Sequence, residues 1–174
     1  MADGKLWHHG EGYQGDVLDV GSVAASPFDQ FRAWFAQAEA AALPKVNAMA
    51  LATSDPTGAP SVRMVLLKEL DETGFVFFTN YESRKGRELE ARHDAALLFF
   101  WDALDRQVRI EGRVERVSAA DSDAYFNVRP RESRMGAIAS PQSQVIESRA
   151  ALQARVDEVT ARFDHAEPPR PAQK

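Results

Sequence analysis

The sequence predicts an α+β protein, a small antiparallel β-barrel with flanking helices, and three observations lead there. Five segments rich in Val, Leu, Ile and Phe, at 46–53, 61–70, 75–80, 95–101 and 107–117, cluster in the middle of the chain and read as strands. The first three are joined by Asp55-Pro56-Thr57-Gly58 and Asp71-Glu72-Thr73-Gly74, turn sequences with glycine where a positive φ is convenient, so they should form a meander. Helical patterns mostly flank the strands instead of alternating with them, which argues against a βαβ sheet.

Taken in order, residues 1–25 are Gly-rich and aperiodic and read as a flexible N-terminal arm. At Ser26-Pro27 a helix begins: serine suits the cap, proline the first helical position, and Asp29 the positive end of the dipole. Phe28, Phe31, Trp34, Phe35 and Ala38 then recur at helical spacing, and the helix should stop before Pro44. Among the strands, 107–117 is the clearest. Val108, Ile110, Gly112 and Val114 alternate with Gln107, Arg109, Glu111, Arg113 and Glu115, so one face is buried and the other wet or functional. Further helices are predicted over 83–92, 119–127 and 147–163, the last with a stripe of Leu152, Val156, Val159 and Phe163. The expected domain is 26–166, and the Pro-rich tail 167–174 reads as a linker.

Composition narrows the function. At 174 residues the chain can bury roughly 70% of its unfolded surface without staples. Having no cysteine, it has no disulfide framework, thiolate zinc site, iron–sulfur cluster or cysteine nucleophile, and it leans toward a reducing compartment. A net charge of −5 argues against a general nucleic-acid binder. No apolar run approaches the ~20 residues of a membrane span, and the N-terminus lacks the apolar stretch of a signal peptide. A cytoplasmic protein is expected. Gly10-Glu11-Gly12-Tyr13-Gln14-Gly15 has the spacing of a dinucleotide fingerprint but neither the preceding strand nor the following helix which that motif needs. His8, His9, His93 and His165 lack the helical pairing of zinc hydrolases, so no metal is expected.

Three basic clusters carry the functional signal. The first, Arg63-Met64-Val65-Leu66-Leu67-Lys68, puts two cations into an apolar strand; either an anion meets them or both reach water at a barrel rim. The second, Ser83-Arg84-Lys85, opens a helix. Cations there oppose the dipole unless an anion is bound, and the hydroxyl and backbone N–H groups complete a phosphate cradle; a solvated first turn is the plainer alternative. The third spans Tyr125 to Ser133, where Pro130 forces Arg129 out of helical geometry, so that Tyr125, Arg129 and Ser133 can converge on a second anion.

These strings, together with Phe77-Phe78-Thr79-Asn80, Arg106-Gln107-Val108 and Gln142-Ser143, resemble the pyridoxine/pyridoxamine 5′-phosphate oxidase family from about Pro27 to Pro171. The resemblance implies an FMN-binding split barrel working as a homodimer, with each flavin between subunits. It implies that Arg63, Arg84 and Lys85 hold the FMN phosphate, that Met64, Val65, Leu66, Phe78 and Thr79 line the flavin, and that Gln107, Gln142 and Ser143 contact it, largely from the partner. Lys68, Tyr125, Arg129 and Ser133 would bind the phosphate of a vitamin B6 substrate. The implied reaction is hydride transfer from substrate C4′ to flavin N5 with O2 as acceptor, giving pyridoxal phosphate, with no obligatory side-chain base. Two departures accompany the resemblance. Family members continue through a Trp-Gly-Gly strand to an Arg-Leu-His segment, whereas the sequence ends at Lys174, and Gly10 stands where arginine is usual, near a substrate-covering Tyr13. Two other readings compete: a related flavin oxidase on another aromatic metabolite, as in phenazine biosynthesis, and a non-catalytic dimer binding FMN or pyridoxal phosphate.

Overall fold

The computed structural model describes Gly12 and residues 18–173; Gly10, Tyr13, His8 and His9 lie outside the described residues. Helix α1 (Pro27–Ala40) is capped by Ser26, whose hydroxyl accepts from the Asp29 N–H at 3.4 Å. Strands β1 (Ala48–Ser54) and β2 (Pro60–Leu66) pair antiparallel, followed by a short hairpin of β3 (Glu69–Leu70) and β4 (Phe75–Val76). Helix α2 (Arg84–Ala91) leads into β5 (Asp94–Trp101) and β6 (Arg106–Arg113), and three helices end the chain: α3 (Ala119–Val128), α4 (Arg131–Ala139) and α5 (Arg149–Arg162).

Both Asp-x-Thr-Gly turns form for the same local reason. Asp55 Oδ1 accepts from Thr57 N, Thr57 Oγ1 and Ala59 N, and Asp71 Oδ1 accepts from Thr73 N, Thr73 Oγ1 and Gly74 N, all within 2.6–3.0 Å. Gly58 (φ 94°) and Gly74 (φ 152°) take conformations that side chains disfavour.

The four-stranded sheet has the order β2-β1-β5-β6, antiparallel throughout, and β3-β4 stands apart as a second sheet. The barrel is therefore split, in the predicted α+β class. The segment 61–70, predicted as one strand, changes partner midway. After Leu66, Leu67 N donates to Asn47 O, Asn47 Nδ2 returns a bond to Leu67 O, and Lys68 N already donates to Val76 O. Only the first part of 75–80 is laddered, and 107–117 keeps its register with β5 through Arg113, with a last bond from Val114 N to His93 O. Helix α4 is the element the sequence does not announce. Arg129 is extended (φ −71°, ψ 146°), as the following proline requires, but the chain resumes helical geometry immediately after Pro130.

The core lies between α1 and the inner sheet face. Phe31 meets Phe75 and Phe99 edge-on, each at 4.9 Å between centroids, and Phe99 and Trp101 continue the cluster at 5.7 Å. Each such aromatic pair adds about 0.5–1.5 kcal/mol beyond its buried area. The tail corrects the linker reading. Residues 167–173 have no helix, as their prolines dictate, yet they pack on the domain: Pro168 is buried, Glu167 pairs with Arg134 at 2.6 Å, Arg170 Nε with Asp123 at 2.6 Å, and Tyr81 N donates to Gln173 O at 2.7 Å.

Candidate functional site

Helix α2 begins in a buried cap. Ser83 is fully buried; its hydroxyl donates to Asn80 O at 2.6 Å and accepts from Gly86 N at 3.2 Å. Gly86 is there because nothing larger fits: a Cβ would lie 2.3 Å from Tyr81 O and 2.5 Å from Asn80 O. That close approach draws Lys85 inward, leaving it 8% exposed. Among the described residues its ammonium meets only neutral groups, Gln142 Oε1 at 3.1 Å and Ser83 Oγ at 3.4 Å. Burial, aided by the nearby Arg63 charge, pushes its pKa down. A buried cation beside a second cation, with no carboxylate of its own, is a site prepared for an anion.

Arg63 projects from β2 into the same region. Its guanidinium donates to Leu51 O (3.0 Å), Thr53 Oγ1 (2.6 Å) and Ser61 Oγ, and pairs with Glu88 Oε2 at 3.0 Å. Arg84 Nε reaches the other carboxylate oxygen at 2.8 Å. Glu88 is 4% exposed and also accepts from the hydroxyls of Thr53 and Ser61. Burial alone would push the Glu88 carboxyl up, but the bonds from Ser61, Thr53, Arg84 and Arg63 outweigh it and hold the pKa at about 2. Because the folded value lies below the ordinary 4.5, the ionised carboxylate stabilises the fold fully above 4.5, and that contribution fades as pH falls toward about 2. Glu88→Gln should therefore lose less stability than the wild type when acidified through this window; parallel acid-unfolding curves would contradict it.

Beside the cradle lies a pocket of about 390 Å³ whose walls include Phe78, Thr79, Tyr125, Arg129, Ser133, Gln142 and Arg170. Phe78 and Tyr125 stack at 4.0 Å and 6°. Lys68 Nζ sits 5.5 Å from the Tyr125 ring centroid and the Arg129 guanidinium 6.0 Å from it, while Arg129 also donates to Ser133 O at 3.2 Å. The Thr79 hydroxyl is buried with no hydrogen-bond partner among the described residues. Gln142 lines this pocket and accepts from Lys85, so the two cationic regions share a wall. A wider groove of about 800 Å³ beside α1 has Glu39 and Glu69 among its lysines and holds no buried cation.

The residues read from sequence thus fall into groups. Arg63, Arg84 and Lys85 gather around α2, and Tyr125, Arg129 and Ser133 line the smaller pocket with Phe78, Thr79 and Gln142. Lys68 instead lines the wider groove and meets the smaller pocket only through its approach to the Tyr125 ring. Val65 points into the core, whereas Met64 and Leu66 stand on the opposite face of β2, exposed. Gln107 lies on β6, two strands beyond β1 and apart from the cradle of its own chain. Ser143 follows Gln142 in a left-handed conformation (φ 64°), exposed. Glu88, Gly86 and Arg170 were not singled out in sequence. The Ser83-to-Gly86 cap spacing offered a hint of the second; nothing local marked the other two.

The open antiparallel barrel sets a cationic helix-start cradle beside an aromatic, cation-lined pocket, an arrangement suited to a phosphorylated aromatic ligand. The pyridoxamine 5′-phosphate oxidase family profile matches residues 35–163. Pyridoxine/pyridoxamine 5′-phosphate oxidase of Bordetella petrii is 59% identical over 161 residues, 92% of this chain and 76% of that protein. The protein of the same name from Burkholderia thailandensis is 58% identical over 159 residues, 91% and 74% of the respective chains. Among solved structures, PhzG of Burkholderia lata, in complex with tetrahydrophenazine-1-carboxylic acid, superposes with a TM-score of 0.85 at 30% identity, covering 91% of this chain and 79% of that one. The chain belongs to the pyridoxamine 5′-phosphate oxidase family. It is an oxidoreductase with FMN as its cofactor, and its residues fit that cofactor: a phosphate would supply the anion that Lys85 lacks. No helix among the described residues is long and apolar enough to cross a membrane.

Proposed function

We propose that the protein oxidises pyridoxamine 5′-phosphate, pyridoxine 5′-phosphate or both to pyridoxal 5′-phosphate. The observation that carries this reading is the pair of anion-seeking sites with a common wall at Gln142, one for each of two phosphorylated molecules. Arg63, Arg84 and Lys85, with the N–H groups opening α2, hold the FMN phosphate. Lys68, Arg129 and Ser133 take the substrate phosphate, and Tyr125, fixed against Phe78, sets the plane beside which an aromatic ring lies. Bound FMN supplies the hydride acceptor, with O2 as the final oxidant. The protein contributes orientation and charge, and no side chain is assigned as an obligatory base.

The same reading includes a homodimer. Val62, Met64, Leu66 and Phe100 are 42–69% exposed on the outer sheet face, around the small side chains of Ala48, Ala50 and Ala52. An apolar face of this kind supports burial against a second copy, which would bring Gln107 of each subunit toward the other's flavin.

Aerobic peroxide production from pyridoxamine 5′-phosphate with FMN added tests the proposal, and yellow protein without turnover would overturn it. Arg129→Ala is expected to raise the substrate KM roughly tenfold or more while leaving FMN affinity unchanged. Loss of flavin from that variant would contradict the division between the two sites. A second reading, oxidation of a reduced phenazine carboxylate, draws on the likeness to PhzG. Turnover of that substrate in preference to pyridoxamine 5′-phosphate would favour it.

A further inference from the structure

We infer that Glu88 is the positioning residue of the FMN phosphate site: a buried carboxylate that grips one nitrogen of Arg63 and one of Arg84 and so aims both guanidinium groups. This rests on the assignment of Arg63, Arg84 and Lys85 to the phosphate. Each Glu88 oxygen takes one arginine, Oε2 from Arg63 at 3.0 Å and Oε1 from Arg84 at 2.8 Å. The hydroxyls of Thr53 and Ser61 fix Oε2 from the strand side, and Ser61 and Thr53 bond Arg63 as well. The carboxylate therefore joins β1, β2 and α2 at one point. Arg84, 57% exposed at its side chain, has no other side-chain tether among the described residues and would otherwise sample many rotamers. Lys85 lies one turn away without a carboxylate. Three cations against one carboxylate leave two positive charges in excess, matching a phosphate monoester dianion.

Charge alone makes the opposite prediction: a carboxylate beside a phosphate repels it, so removing Glu88 should tighten FMN. Riboflavin, which lacks the phosphate, separates the possibilities. Dissociation constants for FMN and riboflavin, read by quenching of flavin fluorescence, are to be compared in the wild type, Glu88→Ala and Glu88→Gln. Positioning predicts that the FMN preference over riboflavin falls about tenfold or more in Glu88→Ala, and less in Glu88→Gln, which keeps volume and one acceptor oxygen. If Glu88→Ala does not fold, the direction of change in Glu88→Gln decides. An unchanged preference with both flavins weakened equally would make Glu88 merely structural, and a raised preference would make it merely repulsive; either overturns the inference. A wild type that does not prefer FMN over riboflavin overturns the phosphate assignment itself, and this inference with it.

Discussion

Lys85→Met is expected to weaken FMN binding roughly 10- to 100-fold while leaving the flavin-free protein as stable as the wild type or more so. The two effects have opposite signs because the ammonium serves a ligand and not the fold. Without an anion it is buried against neutral oxygens and repelled by Arg63, a net cost to the folded chain. Methionine keeps the apolar stem that lies in the cap and removes the charge. Flavin affinity follows from fluorescence titration, and stability from urea unfolding of the flavin-free protein. A large stability loss with unchanged FMN affinity would show Lys85 to be a structural residue.

Gly86→Ala should be the most damaging single-methyl change near the site, costing roughly 2–4 kcal/mol of stability and most of the FMN affinity. The atoms in the way are backbone carbonyl oxygens, at 2.3 and 2.5 Å from the added Cβ, and they cannot swing aside as a side chain would. Relief requires the start of α2 to back away from the 80–81 segment, which breaks the Ser83 cap and displaces Lys85. Urea unfolding and flavin titration measure both consequences. A variant within about 0.5 kcal/mol of the wild type would mean that this helix start yields easily.

How far the sequence could be read depended on whether each signal was local. The two Asp-x-Thr-Gly turns were legible because their hydrogen bonds close within the turn itself. So was the break at Arg129, since proline acts on its immediate neighbour. The place where 61–70 leaves one partner for another was not legible: Leu67 and Lys68 differ in what faces them, Asn47 and Val76, not in anything the local sequence shows. Helix α4 was missed because its buried residues, Arg134, Met135 and Ala139, form no clean apolar stripe. The cations of the site stood out as charges misplaced in a strand and at a helix start. Their carboxylate did not, because Glu88 in Arg84-Lys85-Gly86-Arg87-Glu88 looks like an ordinary i,i+4 surface partner. Only the arrival of Thr53 and Ser61 from other strands makes it a buried junction.

The split between the two sheets also sets how the molecule should breathe. β3 and β4 contribute two residues each, far less than the eight-residue strands β5 and β6. Amide protons in that hairpin should trade with solvent through small local openings, while those in the centre of the main sheet wait for unfolding of the whole domain. Lys68 lies immediately before the hairpin and Phe78 two residues after it. The Phe78 wall of the aromatic pocket therefore hangs on the least protected backbone, a margin that can give way while the cradle stays rigid.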